Sequence, residues 1–376
     1  MRPLKFGVTV HDQQRASPGF TLFSPSYGRA TYLIGMEGEI RHQWALPGKP
    51  GTHARLLPSG NLLAAIQTDT GPNLVSSGGH LMEFDWDGDL VWDYRDDAQH
   101  HDFYRLENGN TGYWGAELLP IEAAARIQGG RPGSEHDDGI WGDYFREVTQ
   151  AGDTVWEWHA HEHFPFEDYP FKPHTPRHEY AHPNACFPLA DGNILASWRN
   201  IDLIAIIERA SGAFKWHMQD RSWGGQHDPC MLANGNITLF ANGTELPGQI
   251  HSRVIELNPE TKETVWEYRG APPMTFFSSH VSGCHRLENG NTLICSGAPG
   301  RFFEVTPDDR IVWDYRDAHS GDVHMPDGST PHPVGDFTYA VFRVDRVPFD
   351  HSALAGKTLQ PLDPQPPLAG EEGGGS

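Results

Sequence analysis

The chain has 376 residues and a formal net charge of −22 with neutral histidines. This charge excludes nucleic-acid binding through a basic face, because phosphate contacts need clustered Lys and Arg, and it disfavours anionic membrane surfaces. The sequence contains no run of about 18 apolar residues, so it predicts no membrane helix. The N-terminus lacks the apolar region of a signal peptide, so we expect a cytoplasmic protein. The four cysteines (Cys186, Cys230, Cys284 and Cys295) show no C-x-x-C spacing, which indicates reduced thiols.

Two motifs alternate along the chain. Frequent glycine (41) and proline (30), with little helical periodicity, favour an all-β fold with many tight turns. In chain order, apolar strands carry Trp44, Trp92, Trp156, Trp216, Trp266 and Trp313. Between them lie the turns "LLPSGNLL", "RLENGNTG", "PLADGNIL", "MLANGNIT" and "RLENGNTL". Each repeat therefore predicts four short strands in two hairpins, such as "GHLMEFDWDGDLVWDYR" with its turn at Asp87-Gly88.

The repeat predicts a ring of sheets. One four-stranded sheet cannot bury both faces, whereas copies stacked in a ring can. Six Trp strands predict a six-bladed β-propeller with four-stranded antiparallel blades, as one domain over 1–350, with the Trp residues packed between blades. We expect "FTLFSPSYGRATYLI" to complete the first blade or close the ring, and "DFTYAVFRVDRV" (336–347) to supply a strand. Residues 351–376 are expected to form a flexible tail.

Two segments interrupt the repeat. "PIEAAARIQGG" (120–130) is the one segment that the sequence suggests as a short helix or an ordered loop. The third blade carries an insertion at about 158–180, rich in Pro, His and aromatic residues, which we expect to arch over one end of the ring as a lid. We assign most of its histidines to solvent or lid contacts; these are His159, His161, His163, His174 and His178.

Histidines precede the strands that enter the GN turns, which we predict to be the innermost strands. His101 and His227 lie 8 residues before the GN glycine, and His182 and His280 lie 10 before it. Even separations keep side chains on one face of a strand. We therefore expect these four imidazoles to meet near the axis. His53 has a similar place, but a surface role suits it better.

Polar residues accompany these histidines. Asp102 and Asp228 follow His101 and His227 directly, and each can orient an imidazole or cap a strand end. Asn184 lies two residues after His182. Arg199 returns beside His182, where it meets either an anion or a structural carboxylate. Five aromatic residues can stack on an aryl ring, although we expect most of them to serve ordinary packing. They are Trp114, Trp198, Trp223, Phe276 and Phe277.

The stretches "TYLIGMEGEIRHQW", "QHHDFYRLENGNT", "EYAHPNACFPLADGNILASWRN", "GQHDPCMLANGNITLFANG" and "FFSSHVSGCHRLENGNTLICSGAPGRFFEVT" resemble the bacterial arylsulfotransferase family of six-bladed propellers. The resemblance implies ping-pong transfer of a sulfuryl group between phenols, without a cofactor. It places the sulfurylated histidine at His227, sulfuryl-binding residues at His182, Asn184 and Arg199, and a further site histidine at His101. The chain departs from the family at His280, a fourth imidazole, and in "LFANG", where an acidic residue is usual.

Two alternatives stay open. His101, His182, His227 and His280 can instead hold a divalent transition metal that performs lyase, hydrolase or oxygenase chemistry on a small aromatic or anionic substrate. The propeller can also be a non-catalytic binding scaffold. The expected partner is a small aromatic molecule, and homo-oligomerisation is left open.

Overall fold

The computed structural model describes residues 5–72, 74, 78–248, 250–319 and 339–366. In chain order its elements begin with β1 (Gly7–His11), β2 (Phe20–Pro25), β3 (Ala30–Ile34), β4 (Ile40–Ala45), β5 (Pro50–Leu56), β6 (Leu62–Gln67), β7 (Gly79–Phe84), β8 (Leu90–Arg95), β9 (Gln99–Arg105), β10 (Thr111–Leu118), α1 (Ile121–Arg126), β11 (Gly129–Arg131), β12 (Trp141–Val148) and β13 (Thr154–His159). They continue with α2 (Ala160–His163), β14 (Phe171–Pro176), β15 (Pro183–Pro188), β16 (Ile194–Trp198), β17 (Leu203–Ile207), β18 (Phe214–Gln219), β19 (His227–Met231), β20 (Ile237–Ala241), β21 (Arg253–Leu257), β22 (Thr264–Arg269), β23 (Gly283–Arg286), β24 (Thr292–Ser296), β25 (Arg301–Val305), β26 (Ile311–Arg316) and β27 (Val341–Val347).

The six-bladed, all-β propeller with four-stranded antiparallel blades is confirmed. The blade orders are β27-β2-β3-β4, β5-β6-β7-β8, β9-β10-β12-β13, β15-β16-β17-β18, β19-β20-β21-β22 and β23-β24-β25-β26. The last blade gains β1 as a fifth strand beside β26. Pairing of β27 with β2 completes the first blade from both ends of the chain; residues 336–338 of the expected closing strand lie outside the described residues.

The chain divides into two compact units of three blades each. The first unit comprises Met1–Gln67, Leu81–Asp93 and Ser278–Ser376, and the second comprises Thr68–His80 and Tyr94–Phe277. In the first unit, the indole N–H of Trp44 donates to Asp85 O at 2.9 Å and that of Trp313 to Met36 O at 2.8 Å. Each bond joins the fourth strand of one blade to a turn of another, so these Trp residues link blades as expected.

Part of the segment expected to be a flexible tail, after Asp350, makes contacts in the first unit. Leu362 N–H donates to Ile40 O at 2.9 Å, and Ile40 N–H donates to the side chain of Gln365 at 2.7 Å. Leu359 and Leu362 pack against apolar cores of the first unit. Backbone bonds and apolar contacts therefore place this segment through Gln365; residues 367–376 lie outside the described residues.

In the second unit, the core is built from aromatic residues of the blades and the insertion. Trp158 donates its indole N–H to Gly212 O and Trp216 to Pro259 O, both at 2.8 Å. Trp158 thus bonds to the next blade, and Trp156, which was expected to pack between blades, lies beneath the guanidinium of Arg209 from that blade.

The insertion is a packed structure. It contains α2 and β14, and β14 pairs in parallel with β11. Phe164, Phe166 and Phe171 are buried in the core of the second unit. Lys172 forms a buried ion pair with Asp202, with Nζ 2.8 Å from Oδ2. Helix α1 lies within the predicted 120–130 segment. Among the described residues, no helix combines the length and apolar character that a membrane crossing demands.

Candidate functional site

The inner strands of the second unit are irregular at the expected site residues. The pairing register shifts between His100 and Phe103 in β9, between Pro183 and Ala185 in β15, and between His227 and Cys230 in β19. Three site residues have left-handed backbones, namely His101 (φ 51°), His182 (φ 60°) and Asp228 (φ 55°). A β-bulge redirects side chains, and strained backbone clusters at functional sites. The argument that even sequence offsets keep these side chains on one strand face was therefore wrong, because the bulged strands do not alternate regularly.

His227 is buried, and its ring is held at one nitrogen. Nδ1 lies 2.7 Å from Asn242 Oδ1 and 3.0 Å from Gly225 O. Both oxygens accept hydrogen bonds, so Nδ1 carries a hydrogen, and in the neutral imidazole the lone pair is on Nε2. This tautomer suits an imidazole that attacks through Nε2.

His182 pairs with a carboxylate that the sequence analysis missed. Its Nδ1 lies 2.7 Å from Glu179 Oε1, and both side chains are buried. Burial alone would raise the pKa of Glu179, but the imidazoles of His182, His100 and His178 outweigh it and hold the pKa below its usual value. An ionised Glu179 therefore fixes the hydrogen on Nδ1 of His182. The signal in the sequence was an acidic residue three positions before His182, in "HEYAH".

His101 lies between two other imidazoles. Its ring contacts that of His182 edge to face, with centroids 4.4 Å apart, and its Nδ1 lies 2.7 Å from Nδ1 of His100. Burial lowers the pKa of His100 to about 4, so His100 is neutral at pH 7.

Behind His100 lies a second carboxyl group that the sequence analysis missed. Asp143 Oδ1 is 3.8 Å from His100 Nε2, and neither carboxyl oxygen has a hydrogen-bond partner among the described residues. Burial, followed by the charges of Glu179 and Glu117, raises the pKa of Asp143 well above its usual value. The groups behind His101 therefore carry little charge.

Arg199 lies beside both His182 and the segment that leads to His227. Its backbone N–H donates to His182 O at 3.0 Å. Its side chain packs over Gly225, where an added Cβ would lie 3.4 Å from Arg199 Cγ and 3.6 Å from Cζ. Burial lowers the pKa of Arg199, against the opposing charges of Glu245 and other carboxylates.

Within the described residues, Arg199 forms no ion pair. Its guanidinium donates to the neighbouring Asn200 Oδ1 at 3.3 Å. The structural salt bridge that the sequence left open is therefore not observed there. A half-buried guanidinium without a carboxylate partner is suited to binding an anion.

Two of the expected polar partners join strands. Asn184 Nδ2 donates to Gln226 O at 2.8 Å, so it links β15 to the residue before His227. Asp102 accepts from the N–H groups of Phe103 at 3.0 Å and Cys186 at 2.8 Å. Of the two roles expected for Asp102, these bonds favour the structural one.

The aromatic candidates are core residues with one exception. Trp114, Trp198, Trp223 and Phe276 are each at most 2% exposed. They pack within the second unit and are not available to stack on a substrate, whereas Phe277 is half-buried.

The expected metal ligands are not grouped as a metal centre in the second unit. Across the described residues, the one trio of His, Cys, Asp or Glu with ligand atoms within 4.8 Å of one another is Glu117, His159 and His161. His280 belongs to the first unit, where its Nδ1 lies 2.8 Å from Ser279 Oγ.

Fold and site together define a β-propeller protein with imidazoles and a guanidinium at bulged inner strands. The sequence model of the arylsulfotransferase (ASST) family matches residues 53–318. The match covers more than half of the chain, and the chain belongs to this family. No curated protein matches the sequence significantly.

Solved structures with similar folds are distant in sequence. A protein of unknown function from Bacteroides caccae is 12% identical with a TM-score of 0.55, covering 88% of this chain and 99% of that one. A streptogramin B lyase is 11% identical (TM-score 0.48; 91% and 93% covered). Hydrazine synthase of Kuenenia stuttgartiensis is 12% identical (TM-score 0.48; 93% and 100% covered). At 12% identity, the likeness to the Bacteroides caccae protein supports the fold and nothing further.

Proposed function

We propose that this protein transfers a sulfuryl group between phenolic compounds through a covalent intermediate on His227. The observation that carries the proposal is the hydrogen bonding of His227 Nδ1 to Asn242 and Gly225, which directs the lone pair to Nε2. A neutral imidazole in this tautomer is a nucleophile that divides a difficult transfer into two easier steps. Membership of the arylsulfotransferase family supports the same reaction class.

In the first step, His227 Nε2 forms an N–S bond as the S–O bond to the donor aryl group breaks. The departing aryl oxide takes a proton from the imidazolium form of His101, which becomes neutral. In the second step, the acceptor phenol returns a proton to His101, its oxygen forms the new S–O bond, and the N–S bond breaks. The contacts of His101 with His100 and His182 support this role.

Arg199 and His182 would bind the sulfuryl oxygens. The negative charge of the group spreads over its oxygens, and a planar guanidinium can donate to two of them. In its imidazolium form, His182 would bond Glu179 through Nδ1–H and donate Nε2–H, on the opposite side of the ring, to a sulfuryl oxygen. Asn184, through its bond to Gln226 O, would act mainly by positioning His227.

The test is transfer from 4-nitrophenyl sulfate to phenol by wild type and by His227→Ala. We expect wild type to release nitrophenolate and form phenyl sulfate, and the donor alone to leave one sulfuryl group on the His227 peptide. His227→Ala should lose both signals, while His174→Ala, a change of an exposed histidine in the insertion, should keep them. Absence of transfer and of sulfated protein in wild type would reject the proposal.

A further inference from the structure

A second histidine cluster lies where the insertion leaves its blade. Glu117 from β10 meets His159 at the end of β13 and His161 in α2. Nδ1 of His159 is 3.0 Å from both carboxylate oxygens of Glu117, and Nδ1 of His161 is 3.0 Å from Oε1. The three side chains are partly exposed, between 22% and 26%. None of them takes part in the proposed transfer.

We propose that Glu117, His159 and His161 form a binding site for a divalent transition cation, with Zn²⁺ as the best fit. Two imidazoles and one carboxylate are a donor set that zinc uses. Tetrahedral ligands at zinc bond lengths lie about 3.4 Å apart, so the 3.0 Å separations need only a small outward movement. The partial exposure lets water complete the fourth position.

The opposite ring nitrogens provide independent support. His159 Nε2 faces Glu157 Oε2 at 3.8 Å, and His161 Nε2 faces Glu162 Oε1 at 3.7 Å. A histidine that binds metal through one nitrogen commonly presents the other to a carboxylate, which orients the ring and increases its basicity. Glu157 is itself held by Arg146, with Nε 2.6 Å from Oε1. Each imidazole thus has a carboxylate near its second nitrogen, just beyond hydrogen-bond distance, that can serve as the outer partner of a metal ligand.

The position of the cluster assigns it a structural role. Helix α2 has four residues, and its N-cap residue, His159, makes no side-chain capping bond. So short a helix is unstable alone. A cation bound by His159, His161 and Glu117 would tie this first turn of the insertion to β10, and would therefore order the insertion without taking part in the transfer.

The experiment is titration of the full, chelator-treated chain with Zn²⁺ alone, followed by calorimetry. We expect one Zn²⁺ per chain, and Co²⁺ in its place should give the visible spectrum of a four-coordinate N/O site. Glu117→Gln and His161→Gln should each bind at least about a hundredfold more weakly, and Glu162→Gln about tenfold to a hundredfold more weakly. His163→Gln, on the same helix but outside the cluster, is the matched control and should bind as wild type.

Thermal unfolding of the metal-free proteins separates lost binding from lost folding, because the metal-free variants should melt close to metal-free wild type. Added Zn²⁺, at a concentration that just saturates wild type, should then raise the melting temperature of wild type and His163→Gln, raise that of Glu162→Gln less, and leave Glu117→Gln and His161→Gln nearly unchanged. The proposal is overturned if wild type binds no stoichiometric Zn²⁺, or if Glu117→Gln and His161→Gln bind it as tightly as wild type. Neither result depends on sulfuryl transfer, so the two proposals fail separately.

Discussion

Replacing Glu179 with glutamine removes a buried negative charge and keeps the size of the side chain. The carboxylate is 3% exposed and lies 2.7 Å from His182 Nδ1, so water cannot take its place. A hydrogen bond to a charged group contributes about 1.5–3 kcal/mol net. We therefore expect Glu179→Gln to lower the free energy of unfolding at neutral pH by about 2 kcal/mol. If the transition state uses the same interaction in full, sulfuryl transfer slows by about 30-fold.

The pH dependence of stability gives the sign of this effect. The pKa of Glu179 in the folded chain lies below its usual value of 4.5. Its carboxylate therefore stabilises the fold above that pH, and the contribution is lost as the pH falls through the folded-state pKa. The glutamine variant has no such contribution, so the stability difference between wild type and variant should shrink as the pH falls below 4.5.

Urea unfolding from neutral to acid pH measures this difference, and transfer kinetics at neutral pH measure the catalytic part. Glu135→Gln is the control, because it removes an exposed carboxylate of the same unit that pairs with Arg177. A Glu179→Gln variant within about 0.5 kcal/mol of wild type at neutral pH, with the same acid dependence, would refute the role assigned to this pair.

Three further predictions concern the surroundings of the site. Burial holds the pKa of His100 near 4, so His100 alone should contribute up to about 3 kcal/mol to the loss of stability between pH 6.5 and 4. His100→Gln should remove this contribution, and urea unfolding at both pH values checks it. Gly225→Ala places a Cβ 3.4 Å from Arg199, whereas the Cβ of the control Gly235→Ala meets nothing within 4 Å at nearly the same φ. Both variants should lose about 1 kcal/mol of stability. Only Gly225→Ala should raise KM for an aryl sulfate. Lys172→Met leaves a buried carboxylate without its 2.8 Å partner and should cost about 3 kcal/mol in thermal unfolding, with faster proteolysis of the insertion; an unchanged cleavage rate would contradict this.

The blades were predictable because their signals repeat. A Trp strand and a GN turn recur in nearly every blade, and the same local chemistry gives the same hairpins each time. Strand β1 was missed because "GVTVH" carries neither signal and pairs with β26, which is more than 300 residues away in sequence. Trp156 and Trp158 lie on the same strand face, so sequence alone could not tell which one bonds to the next blade.

The sequence named the histidines of the candidate site but not the hydrogen-bond partners that the structure gives them. Glu179 reaches His182 from the end of the insertion, and Asn242 reaches His227 from beyond the next strand. Neither belongs to the repeated motif. Bulges are also invisible to a pattern of alternating residues, because the extra residue reverses the facing of the later residues in the strand without changing their types. The direction of His101 and His182 thus required coordinates.

The metal content of the protein does not by itself decide between sulfuryl transfer and metal chemistry at the axial histidines. A zinc-binding insertion would give a stoichiometric signal under either mechanism, because Glu117, His159 and His161 share no residue with the expected axial set. The decision requires variants at both places. Zinc lost only in His161→Gln, with transfer lost in His227→Ala, would assign the cation to the insertion and the chemistry to imidazole. Zinc lost in His227→Ala but kept in His161→Gln would instead favour a metal at the axial histidines and overturn both proposals.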